Sequence, residues 1–128
     1  MTQQHEHIAQ RQVVAWAQAQ SGLLPELQLL YAIPNGGHRM KAVAGKLKAE
    51  GVKAGVPDLC LPVARGGYHG LYIEMKAGAN RTTKPQKTWI TALSRQGYRA
   101  LVCHGFEDAR GTIIDYLGAG SRMLVEAA

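Results

Sequence analysis

The sequence predicts a mixed α/β domain, and three observations carry that prediction. Apolar stripes at helical spacing alternate with short apolar runs of strand length. Two of those runs are separated by only a short Gly-rich loop, which imposes antiparallel pairing. Another run follows a helical segment, so the whole reads as a mixed sheet flanked by helices in the order αβαββαβα.

Residues from about 5 to 20 form the first helix, with Ala9, Val13, Trp16 and Ala17 in one stripe. The run Leu27-Gln28-Leu29-Leu30-Tyr31-Ala32-Ile33 reads as a buried strand, closed by the turn signal Pro34-Asn35-Gly36-Gly37. A second helix follows over about 38–50, with Met40, Val43, Ala44 and Leu47 inward, and Gly51 stops it. Strands at about 58–63 and 70–77 flank the loop Ala64-Arg65-Gly66-Gly67-Tyr68-His69. A third helix, about 84–96, turns Trp89, Ile90 and Leu93 inward. A strand over 99–104 and a helix over about 106–118, burying Phe106, Ala109, Ile113 and Leu117, complete the chain. With no internal repeat, low-complexity tract or linker, residues 1–128 read as one domain.

Composition narrows the function. Hydrophobic residues make up 46% and charged residues 19%, a folded rather than a disordered chain. No apolar run approaches the roughly 20 residues of a membrane span. The polar N-terminus lacks the apolar stretch of a signal peptide, so a cytoplasmic protein is expected. Cys60 and Cys103 fall in strands and read as small core residues rather than redox or metal groups. Fifteen Lys and Arg against nine Asp and Glu give +6, which favours a polyanionic partner such as nucleic acid or an anionic membrane.

The chemistry lies in the hairpin. Residues two apart on a strand share a face. Leu71, Ile73 and Met75 therefore point one way, and Tyr72, Glu74 and Lys76 the other. On the preceding strand Asp58 and Cys60 oppose Leu59, Leu61 and Val63. Pairing the two strands puts Asp58, Glu74 and Lys76 on one side of the sheet. Two carboxylates, with the Met75 backbone carbonyl between Glu74 and Lys76, are hard oxygen ligands suited to Mg²⁺ or Mn²⁺. A lysine beside them neutralises a phosphorane or positions the attacking water, which is equipment for phosphodiester hydrolysis. The plainer alternative is an Asp that caps a turn after Pro57 and a Glu–Lys ion pair on an exposed edge.

Glu6 extends the Ala9/Val13/Ala17 stripe toward the helix start, and Gln10 follows one turn on. An inward carboxylate needs a metal or a lysine; a solvated residue at a frayed terminus is the other reading. Gln86 begins the Trp89/Ile90/Leu93 stripe and also completes a Thr-x-x-Gln capping box with Thr83, two roles that coexist. His5 and His7 are two apart on a helix and do not converge, so they read as solvated. His38, beside Arg39, reads equally as a phosphate contact or a plain loop histidine. Arg39, Lys41, Lys46, Lys48, Lys84 and Lys87 are the candidate phosphate contacts.

Pro57-Asp58 followed by Glu74-Met75-Lys76 resembles the PD-(D/E)xK nuclease signature. The fuller pattern is similar to the VRR-NUC domain, the virus-type replication-repair nuclease. Its matching pieces are Glu6 and Gln10, residues 33–39, 48–59 and 72–76, Gln86, Trp89 and 96–98. The resemblance implies a restriction-endonuclease-like fold and DNA cleavage with a divalent metal, Mg²⁺ or Mn²⁺. By position it implies Asp58 and Glu74 as metal ligands and Lys76 as the catalytic lysine. It further implies Glu6 as an additional carboxylate and Gln86 as the glutamine beside the site. Stand-alone bacterial and phage members suggest a homodimer that cuts four-way junctions in DNA. A flap or non-specific nuclease, or a catalytically idle nucleic-acid-binding module, are the alternatives.

Overall fold

A computed structural model describes residues 2–34 and 41–120. Helix α1, Thr2–Gln20, buries Ala9, Val13 and Ala17 at helical spacing. Leu24, Leu27 and Leu30 then recur every third residue, the spacing that eclipses side chains on a 3-10 helix. Pro25–Leu29 adopts that form, with Pro25 in its first turn and Leu24 and Leu27 buried. The strand expected over 27–33 is thus reduced to β1, Tyr31–Ala32, and both of its residues are exposed. Helix α2, Lys41–Ala49, follows. Its expected inner stripe does not form a core: Val43 is 40% exposed and Leu47 half-buried, and Met40 lies outside the described residues.

Strands β2, Leu59–Leu61, and β3, Leu71–Lys76, pair antiparallel with Leu59 opposite Ile73, Cys60 opposite Tyr72 and Leu61 opposite Leu71. Gly66 and Gly67 close the hairpin, both with positive φ, between the paired residues Arg65 and Tyr68. That double left-handed conformation matches the twist of the strands and suits glycine. Helix α3, Lys84–Arg95, crosses to β4, Arg99–His104, which pairs parallel to β3. Helix α4, Phe106–Leu117, closes the fold, and the sheet order is β1-β2-β3-β4.

The two faces of the sheet differ. Leu71, Ile73 and Met75 pack with Leu59, Leu61 and Cys103 against α1 and against Ala109, Ile113 and Leu117 of α4. Phe106, expected in the core, is half-buried at its margin. On the other face α3 packs against β4 with no fully buried side chain among the described residues. Trp89, Ile90 and Leu93 are only half-buried, because that face has a single helix over it instead of two. Both cysteines are buried free thiols. Among the described residues no helix is long and apolar enough to cross a membrane.

Candidate active site

The open end of the hairpin carries the charged residues. The register that sets Leu59 opposite Ile73 puts Asp58 beside Glu74. Ile33 extends the β1 pairing by donating its N–H to the Asp58 carbonyl at 2.8 Å. The Met75 N–H donates to Asp58 Oδ2 at 2.7 Å and fixes that carboxylate at the sheet end. A residue's N–H and C=O leave a strand on the same edge, so the Met75 carbonyl faces the Asp58 side as well.

Glu74 is 2% exposed and Lys76 5%, the two buried charged residues among those described. Lys76 Nζ lies 3.6 Å from Glu74 Oε2, and Gln86 Nε2 donates to the same oxygen at 3.2 Å. Glu74 Oε1 is buried without an N–H donor. Such an atom costs about 1–3 kcal/mol, and more for a charged group, unless something satisfies it. Burial first, then the adjacent Asp58 charge, pushes the Glu74 carboxyl from its ordinary 4.5 up to about 8. Burial also raises Asp58, opposed by the Met75 hydrogen bond, by a side-chain hydrogen bond with Glu74 and by Lys76, and reinforced by the negative charge of Glu6.

Gln86 serves two structures. Its Oε1 accepts from the Thr83 N–H at 2.8 Å, and its own N–H donates to Thr83 Oγ1 at 3.4 Å, closing the capping box. The same side chain reaches Glu74 with its amide nitrogen. Gly55 holds this helix start in place. Its φ is +89°, and a Cβ there would lie 2.8 Å from the Pro85 backbone. The Gly55–Pro57 loop that delivers Asp58 therefore rests directly on the first turn of α3.

Glu6 is half-buried and accepts from Asn80 Nδ2 at 3.2 Å. It stands close enough to Asp58 to act on its charge. Among the described residues no three His, Cys, Asp or Glu side chains gather tightly enough to hold a metal alone. The pair Asp58–Glu74 nevertheless fits Mg²⁺ or Mn²⁺. Such ions need one or two carboxylates and keep several waters. The adjacent Asp58 raises the Glu74 carboxyl by charge repulsion, and Glu74 Oε1 lacks an N–H donor, a strain that a bound cation would relieve. Asp58, Glu74 and the Met75 carbonyl would hold it.

His38 and Arg39 lie outside the described residues. Lys41 opens α2, and Lys46 and Lys48 are exposed further along it. Lys84 and Lys87 share the outer face of α3 with Thr88, Thr91 and Arg95. Two residues beside these candidates were not singled out from the sequence: Asn80, which bonds Glu6, and Arg95, on the outer face of α3. Arg95 was legible from its helical spacing to Lys84, Lys87 and Thr91. Asn80 was not, because only folding brings it to Glu6, 74 positions away.

Fold and cluster together define the class, a mixed α/β domain of nuclease type. The chain belongs to the VRR-NUC domain family, a nuclease family, whose profile matches residues 1–107. A solved structure described as a VRR_NUC domain protein is similar to it with a TM-score of 0.74 and 35% identity, over 90% of this chain and 89% of that one. No curated protein matches.

Proposed function

We propose that the protein is a divalent-metal-dependent endonuclease that hydrolyses phosphodiester bonds in structured DNA, four-way junctions foremost, and works as a homodimer. The observation that carries the metal-dependent chemistry is the buried Glu74 carboxyl packed against Asp58, its Oε1 without an N–H donor, with Lys76 held at its other oxygen. A bound Mg²⁺ or Mn²⁺ supplies Lewis-acid stabilisation of the charge that grows on the phosphate oxygens. Asp58 is oriented for this by the Met75 N–H, and Glu74 by Gln86. Lys76 brings a fixed positive charge to the phosphorus as water adds and the P–O ester bond breaks. Glu6 adds negative charge at the α1 side of the site, steadied by Asn80.

The basic charge of the chain supports a DNA substrate, since neutralised phosphates release counterions and strengthen binding. Branched DNA and the dimer rest on analogy with the stand-alone members of the family: two strands must be cut, and a symmetric pair would present two equivalent sites. Labelled four-way, flap, splayed and linear DNAs, each with Mg²⁺, Mn²⁺ or EDTA, test the reading. Cleavage of branched DNA that needs the metal and Asp58 supports it. Activity that survives EDTA or Asp58→Asn overturns it, and equal cleavage of linear duplex reduces it to a non-specific nuclease.

A further inference from the structure

Residues directly opposite one another in a sheet share a face. Tyr31 pairs with Cys60, Cys60 with Tyr72 and Tyr72 with Ala100, so these four form one row across all four strands. Glu74 sits two residues along β3 from Tyr72, on the same face, and Asp58 immediately precedes β2, two residues from Cys60. Two residues of strand span about 6.6 Å. An aromatic row thus adjoins the carboxylates at roughly the reach of one unstacked nucleotide.

The row is shaped as a surface. Cys60 and Ala100 are small, and the Cys60 thiol is near enough to the Tyr31 and Tyr72 hydroxyls to help raise both. Tyr98 packs edge-on against Tyr72, with centroids 5.3 Å apart, and braces it. Tyr31 is 50% exposed, and α3, which packs on β4, covers the opposite edge of the sheet from β1.

We propose that Tyr31, backed by Tyr72 and Tyr98, is a stacking platform for an unpaired base of the DNA strand being cut. The inference rests on the nuclease reading above. Its occupant follows from continuity with the cluster: a phosphate beside Lys76 places the neighbouring sugar and base over the tyrosine row. Aromatic faces stack any base without reading its sequence. Only a base released from its pair exposes a face to them, so the row gives the site a chemical reason to prefer branch points over uninterrupted duplex.

The test is binding with Ca²⁺ in place of Mg²⁺, so that affinity is measured without turnover. The probes are a flap DNA carrying 2-aminopurine at the unpaired nucleotide beside the branch, and a linear duplex. Wild-type protein should quench the 2-aminopurine by stacking. Tyr31→Ala should remove the quenching and weaken flap binding about tenfold, with duplex binding unchanged. Tyr31→Phe should retain both, because the ring does the stacking. Absence of quenching by the wild type overturns the proposal, a result that does not depend on any variant folding. So do equal losses on flap and duplex, or a Tyr31→Ala effect confined to the sedimentation of the protein, which would assign the surface to a second copy. Failure of the nuclease reading shows separately, as wild-type protein that binds flap DNA with quenching yet cuts nothing in Mg²⁺.

Discussion

Glu74 is a carboxylate whose fold disfavours its charge. With its carboxyl raised to about 8, the folded metal-free protein holds a proton that the unfolded chain has lost above 4.5. Stability from this group is complete below 4.5 and is lost as pH rises through about 8. Metal-free wild type should therefore melt at a lower temperature at pH 8 than at pH 5.5, relative to Glu74→Gln, which lacks the titrating group. Calorimetry of both proteins across that range checks the sign. On the proposed reading, Mg²⁺ bound by Glu74 would displace the same proton, so its binding should tighten toward pH 8 and release acid, read by titration calorimetry in two buffers of different ionisation enthalpy. The Glu74→Gln variant should fold and lose cleavage, because a neutral amide is a poor Mg²⁺ ligand. Lys76→Ala should lower single-turnover cleavage far more than DNA affinity.

Helix α3 joins stability to chemistry through Gln86. Gln86→Ala removes one half of a capping box, at about 1 kcal/mol, and one donor to Glu74. Cleavage should fall about 10- to 100-fold, as for other groups that orient a metal ligand. A drop in melting temperature without loss of cleavage would leave Gln86 as a cap alone. Gly55→Ala should cost about 2 kcal/mol or more, since alanine resists the left-handed conformation and its methyl strikes Pro85. Much of this was legible in the sequence. The period-2 alternation of 71–76 told which residues share a face, and the short hairpin told that Asp58 meets Glu74. The capping motif and the inward position of Gln86 were both readable, and the structure shows one side chain filling both. The 27–33 run misled because a short apolar stretch carries no periodicity to separate strand from 3-10 helix; the three-residue leucine repeat was the available sign. The α2 stripe misled because amphipathic spacing says that a face is apolar, not what covers it.

At the scale of the molecule, Lys46, Lys48, Lys84 and Lys87 are exposed on two helices. If they lie along phosphates, each Lys→Ala change should weaken binding to all DNA sequences alike. Each should also flatten the slope of log affinity against log salt by about one unit, measured by fluorescence anisotropy. The hairpin is polarised too. Its open end holds Asp58 and Glu74, while Gly66 and Gly67 close the opposite end in exposed residues. Lengthening a surface turn costs little, about 0.6 kcal/mol for each doubling of the loop. The Gly66–Gly67 peptide bond is therefore a natural port: a fluorophore-bearing peptide or a small targeting module spliced in there would travel with the blade yet stay clear of its edge.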